Sequence, residues 1–318
     1  MIIWISFFII VLLILILDLG FFNKTPHIIN TREATKWTSI WVSTSLLFSG
    51  VIYWIYNNNL IANPDELKPI DASIKFITGY LIELSLSIDN IFVIAIIFSA
   101  FKIPQKYQHR VLFWGILGAI FFRGLMIFFG VLLINKFSWT TYIFGVFLVY
   151  TAMKMLFTGD DDTFEPKKSF IYKSLKKIIP VSNHIDKEHF FVKRRHITAA
   201  TPLFVALIVI EVMDVVFAID SVPAILAITN DPFLVFSSNI FAILGLRSMY
   251  FFLSNMLEKF SYLEFSLIAI LTFVGLKMLL HDFIKFPEWF SLVFIAISLL
   301  GGIVISLRMS KLNSNKKE

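Results

Sequence analysis

Apolar runs long enough to cross a membrane occupy most of the 318-residue chain, near 1–22, 38–56, 73–100, 110–135, 138–157, 199–229, 233–256, 263–282 and 288–308. A helix needs about 20 mostly apolar residues to span a hydrocarbon core, and there every backbone amide must bond within its own segment. The nine runs therefore confine the chain to an all-α polytopic membrane protein. Composition agrees, with 58% hydrophobic residues and a mean hydropathy of +0.80, against roughly 45–50% apolar residues in a soluble domain. The first run lacks a basic leader, ends in Gly-Phe-Phe-Asn and contains Asp18, so it is expected to be an uncleaved helix rather than a signal peptide. The 36 phenylalanines read mostly as lipid-facing bulk.

A net charge of +6 would suggest nucleic acid only if it formed a basic face on a soluble domain, and here it lies in the connections between apolar runs. No nucleic-acid partner is expected. Counted along alternating connections, twenty Lys and Arg fall on one side, nine of them between Lys167 and Arg195, whereas only Lys68, Lys75, Lys136 and Lys285 fall on the other. The positive-inside bias then places the N-terminus outside and the C-terminus in the cytoplasm. Arg123, Lys154, Arg247 and Lys277 lie inside the runs and need partners. Lys154 and Lys277 sit near run ends, within snorkelling distance of the interface. The chain has no cysteine, which excludes disulfides, thiolate-bound clusters and direct thiol redox chemistry. It also carries no HExxH, GxSxG, Walker or dinucleotide fingerprint, so no enzyme activity and no cofactor are expected.

An internal match organises the middle of the chain. "ELSLSIDNIFVIAI" from Glu83 aligns with "DVVFAIDSVPAILAI" from Asp214, pairing Glu83 with Asp214 and Asp89 with Asp220. Downstream, Arg123 in "FWGILGAIFFRGLMIF" matches Arg247 in "SSNIFAILGLRSMYFF", and Lys154 in "FLVYTAMKMLF" matches Lys277 in "ILTFVGLKMLL". Each unit holds three runs, an odd number, so the second unit enters from the opposite side. This pattern predicts an inverted repeat, an architecture that binds ions near mid-membrane between its halves. The expected organisation is two N-terminal helices (1–57), repeat unit one (72–157), a basic cytoplasmic loop (158–198), repeat unit two (199–282) and a C-terminal helix (288–308).

Ionisable groups at mid-membrane need a reason, since a central Asp costs about 2.5–3.5 kcal/mol. Five acids cluster in the matched segments: Glu83, Asp89, Glu211, Asp214 and Asp220. With Asn90 and Ser221, and with Ser85 and Ser87 beside them, they form an oxygen-only ligand set. The six histidines fall in connections or at run ends, so the set suits Mn²⁺, Ca²⁺ or Mg²⁺ rather than zinc or copper. Counting Asp18, six membrane acids face four membrane bases, a formal −2 that one divalent cation would balance. At about 100° per residue Glu211 and Asp214 share a helix face, but Asp220 lies roughly 120° from Asp214. Pro223 is expected to interrupt that helix and free carbonyls near Ile219 and Asp220. The competing reading pairs the acids with Arg123 and Arg247 as purely structural counter-ions. The acidic run "DDDTFE" from Asp160 and the basic "KKSFIYKSLKK" read as solvated loop and as a marker of orientation, respectively.

These motifs, with "EVMDVVFAIDSVPAI", "NIFAILGLRSMYF", "VGLKMLLHDF" and "DKEHFFVKR", resemble the TerC family of integral membrane proteins over nearly the whole chain. The likeness is to its Alx branch, whose members carry the name of membrane-bound redox modulators. The resemblance implies an inner-membrane exporter of Mn²⁺, linked to alkaline stress, tellurite resistance or metal supply to exported metalloproteins and the secretion machinery. It also implies that Glu83, Asp89, Glu211, Asp214 and Asp220 are the essential acids, with Asn90 and Ser221 as adjacent polar positions. Proton exchange at the carboxylates is the expected coupling, and rocking of the two units the expected motion. The alternative is a non-transporting scaffold or stress modulator that acts through partner proteins. The sequence specifies no oligomeric state.

Overall fold

The computed structural model of the chain describes residues 2–17, 29–63, 66–137, 139–157, 166, 170–182, 185–194, 197–254, 263–280, 282–284 and 286–315. Among them are ten helices: α1 (Ile2–Leu17), α2 (Thr31–Asn57), α3 (Pro69–Ala100), α4 (Gln105–Lys136), α5 (Thr140–Phe157), α6 (Phe170–Ile178), α7 (Pro202–Leu226), α8 (Pro232–Ser254), α9 (Leu263–Leu279) and α10 (Glu288–Asn315). The fold is all-α and polytopic. Among the described residues, seven helices (α2, α3, α4, α5, α7, α8 and α10) are long and apolar enough to span a membrane, where nine spans are expected from the sequence. The other two expected spans, α1 and α9, hold 16 and 17 residues, about 25 Å of helix each.

The connection expected as a basic loop holds secondary structure among its described residues. It contains α6 and an antiparallel ribbon of β1 (Phe191–Arg194) and β2 (Ile197–Ala200), paired Phe191 to Ala200 and Arg194 to Ile197. Tyr172 of α6 meets the ring of Phe101 at the end of α3, and Glu188 pairs with Arg110 of α4 at 3.0 Å. This segment thus lies where α3 ends and where α4 and α7 begin. "DDDTFE" falls outside the described residues.

Local sequence sets the helix starts. Pro69 and Pro202 occupy the first turns of α3 and α7, where a missing amide costs nothing. Asn30 caps α2 by accepting from the Glu33 amide at 2.9 Å. Asp231 caps α8 through the amides of Phe233 and Leu234, and its other oxygen receives the Tyr56 hydroxyl at 2.7 Å. The end of α2 is thereby fastened to the start of α8.

Protein surrounds α8 along its length, which is why it can carry Ser237, Ser238, Asn239, Arg247 and Ser248 among its apolar residues without presenting them to lipid. Ser237, Ser238 and Ser248 each return a hydroxyl to the backbone three residues earlier, so these three donors are not left stranded in a dry interior. The phenylalanines divide. Phe121, Phe128 and Phe129 face outward as expected, whereas Phe7, Phe48, Phe76, Phe233 and Phe241 form a ring cluster joining α1, α2, α3 and α8. Around α8, packing between helices follows a crosswise order: α3 meets α8 as α4 meets α7, while α3 meets α7, α4 meets α8 and α5 meets α9.

The α5–α9 seam depends on close approach. A Cβ added at Gly275 would lie 2.8 Å from Val149 Cγ2 and 3.0 Å from the Gly145 carbonyl. Gly275→Ala should therefore cost about 1–3 kcal/mol of overpacking and lower the melting temperature of the detergent-solubilised protein. Gly301→Ala, with nothing within 4 Å of the new carbon, should leave it unchanged or slightly raised.

Candidate functional site

Arg123 of α4 is 1% exposed and sits at the centre of the polar interior. Its Nε and Nη2 donate to Asp214 Oδ2 and Oδ1 at 3.3 and 2.9 Å, a two-pronged bond to α7. Nη1 pairs with the carboxylate of Glu83 on α3 and reaches Asn239 Oδ1 on α8 at 3.4 Å. One guanidinium thus gathers groups from three other helices. A planar fork with five donors can do this, whereas a single ammonium cannot.

Two further groups complete the cluster. Asn90, seven residues past Glu83 and so on the same face of α3, directs Nδ2 towards Asp214 Oδ1 at 3.5 Å. Glu211 lies one turn before Asp214 on α7, its carboxylate against Gly118 of α4, so closely that a Cβ there would collide with it. Its Oε2 is buried and has no hydrogen-bond partner among the described residues.

Other expected members lie elsewhere. Asp220 accepts from Thr151 Oγ1 of α5 at 3.2 Å and stands within electrostatic reach of Lys154. It faces a different neighbour from Asp214, in accord with the angle between them on one helix. Ser221 is buried, and its hydroxyl has no hydrogen-bond partner among the described residues. Ser85 and Ser87 are buried within α3. Asp89 belongs to α3, but its side chain lies outside those described, as does Asp18 altogether. Arg247 is buried on α8, and Lys277 donates to Ser291 of α10 at 3.1 Å. Among the described residues, no three acidic or histidine side chains converge as a ready-made metal cage.

The expected interruption at Pro223 does not occur, because α7 continues through it to Leu226. Pro223 stands one turn from the helix end, where it withholds a single amide from the Ile219 carbonyl and the last turn still closes. Helix α3 also runs unbroken through "SLSIDN". The polar cluster is therefore built from side chains on continuous helices.

Beside the cluster is a cavity between α3, α4 and α7, with about 20 Å³ open to the centre of a water-sized sphere. That is room for one water. Asn90, Met213 and Asp214 line it, with hydrocarbon from Val93, Leu112 and Phe217 among the rest. The cavity extends from Asp214 towards the end of the bundle that carries the α3–α4 turn. Towards the opposite end the helices close, and Gly130 of α4 packs against Val222 and Leu226 of α7. Sequence reasoning missed Asn239 and Met213. Asn239 lies in the segment that matches Arg247 to Arg123 but is not singled out there, and a lone methionine in an apolar helix carries no signal.

The family model of the integral membrane protein TerC family matches residues 69–316, from the start of α3 into the end of α10, and so contains every member of this cluster. The chain belongs to the TerC family. It is a multi-pass integral membrane protein. An uncharacterized membrane protein of Myxococcus xanthus is 46% identical over 308 residues, 97% of this chain and 92% of that one. One from Rickettsia bellii is 45% identical over 304 residues, 96% of each. A Photorhabdus laumondii protein named "Putative membrane-bound redox modulator Alx" is 41% identical over 319 residues, 99% of this chain and 97% of that one. No solved structure matches.

In this TerC-family chain, removing the central cation leaves Glu83, which is fully buried, without its counter-charge. Arg123→Met should cost about 3–5 kcal/mol, read as a large fall in melting temperature in detergent. Glu83→Gln keeps an acceptor for Nη1 and leaves Arg123 bound to Asp214, so it should cost about 1–3 kcal/mol.

Proposed function

We propose that this TerC-family protein is a secondary transporter that exports a divalent cation, Mn²⁺, from the cytoplasm across the inner membrane. The observation that carries the reading is the convergence of Glu83 and Asp214, matched positions of the two sequence units, on one buried guanidinium beside a small cavity. Five membrane acids are more than the two arginines, Arg123 and Arg247, require as structural counter-ions. The crosswise packing of α3–α5 with α7–α9 is what two oppositely inserted, interlocked units would give.

In this reading, the end bearing the α3–α4 turn and the basic connections faces the cytoplasm, with the N-terminus outside. The cation enters by the cavity, meets Asp214 and the Asn90 amide, and takes Asp214 oxygens from Nη2 and Nε of Arg123. The guanidinium keeps Glu83 and Asn239. Glu211, one turn away, adds charge to the occupied site, while Asp89 and Asp220 serve the second half of the path. Protons exchanged at the acids that Arg123 does not hold are the coupling. Rocking of one unit against the other along the α5–α9 seam opens the far side. The redox effect named in Alx relatives becomes indirect in a chain without cysteine, through supply of metal rather than transfer of electrons.

Cells expressing the wild-type chain should hold severalfold less manganese under Mn²⁺ load. Asp214→Asn and Asp220→Asn proteins, inserted at normal abundance, should not lower it. Elemental analysis of washed cells measures this, and a correctly inserted Asp214→Asn protein that still depletes manganese would refute the assignment.

A further inference from the structure

We infer that Met213 is a ligand of the same site and makes it select divalent transition metals over Mg²⁺ and Ca²⁺, an inference that rests on cation binding at Asp214. Among the described residues lining the cavity, Asn90, Met213 and Asp214 alone carry side-chain oxygen, nitrogen or sulfur. Asn90 turns its Nδ2 to Asp214, which leaves the amide oxygen as its ligand atom. The donor set facing the cavity is therefore one carboxylate, one amide oxygen and one thioether.

Size and softness then act in the same direction. A cavity with room for about one water admits a cation only after most of its hydration shell is gone. Mg²⁺ dehydrates reluctantly and demands six oxygens, and Ca²⁺ takes six to eight. Neither recovers its lost waters from a thioether. Metals that accept sulfur, from the borderline divalent transition ions to soft Cd²⁺, do so in part. Met213 precedes Asp214 directly and lies one turn before Phe217, and all three line the cavity, so Met213 and Asp214 are neighbours in its α7 wall. The competing role for Met213 is a flexible apolar filler, which Leu would perform equally well at nearly the same volume.

The chain has nine methionines and no cysteine, so any sulfur bonded to a metal in it belongs to a methionine. The test is X-ray absorption at the cadmium edge on purified full-length protein loaded with Cd²⁺, as wild type, Met213→Leu and Asp214→Asn. The wild type should show oxygen ligands and one sulfur. Met213→Leu should keep the oxygens, lose the sulfur, bind Cd²⁺ roughly tenfold more weakly, and allow Mg²⁺ and Ca²⁺ to compete with Mn²⁺. An oxygen-only shell in the wild type, or a sulfur that survives Met213→Leu, overturns the inference and leaves the transport reading intact. Unchanged Cd²⁺ binding in Asp214→Asn, or no binding by the wild type, overturns the transport site and the inference with it.

Discussion

A guanidinium sealed inside a membrane protein is costly unless each of its donors meets an acceptor in good geometry. Arg123 meets that condition by drawing Asp214, Glu83 and Asn239 from three helices towards one plane. The acceptors are themselves held. Asn239 donates its Nδ2 to the Val235 carbonyl at 3.0 Å, one turn back on α8, which turns Oδ1 towards Arg123. Apolar contacts hold such a bundle together without telling one register from the next, because lipid tails are as apolar as the side chains. The charged cluster does discriminate. Sliding α3 or α7 by one residue would swing Glu83 or Asp214 by about 100° and leave a buried charge alone.

This explains what the sequence made legible and what it did not. The depth of Glu83, Asp214 and Arg123 follows from run boundaries, and the divergence of Asp214 and Asp220 follows from helical geometry, because both are local properties of one helix. Which acid meets which cation depends on neighbours. Glu83 and Asp214 share Arg123, whereas Asp220 turns to Thr151, and no spacing along α7 identifies α5 as the partner. The break expected at Pro223 failed for a positional reason. A proline so close to the C-terminus of a helix removes one hydrogen bond, and the remaining turn closes without it. In the long connection, dominated by charge, the apolar alternation of a four-residue ribbon is too short to register. The aromatic cluster on α1, α2, α3 and α8 shows the converse limit, since phenylalanines facing lipid and those facing protein look alike in sequence.

The crosswise order of helix contacts bears on how such a bundle can move. Each helix of the α3–α5 group packs mainly on helices of the α7–α9 group, while α4 and α5 barely touch. Motion of one group is therefore motion along shared interfaces, not the opening of a cleft between two self-contained bodies. At the α5–α9 seam Gly145 and Gly275 are in near backbone contact, and Leu279 and Val149 seat their side chains against these two glycines. In the proposed transporter this is the surface on which the two units would shift, with Arg123 as the electrostatic link that a cation must loosen first.

The two acids that hold Arg123 are not equivalent, and their difference gives the site a direction. Glu83 is completely enclosed and does not line the cavity, whereas Asp214 retains 14% exposure and does. A cation arriving through the cavity therefore competes for Asp214 and not for Glu83. Releasing Asp214 costs the guanidinium its two-pronged bond but leaves it paired with Glu83 and hydrogen-bonded to Asn239, so no step strands a monopole in the membrane. A monovalent ion would replace one unit of charge with one and gain little over Arg123 itself. A dication brings a second unit, which Glu211 stands one turn away to receive. In the proposed transporter, a preference for divalent cargo would then follow from an internal cation that already satisfies the monovalent case.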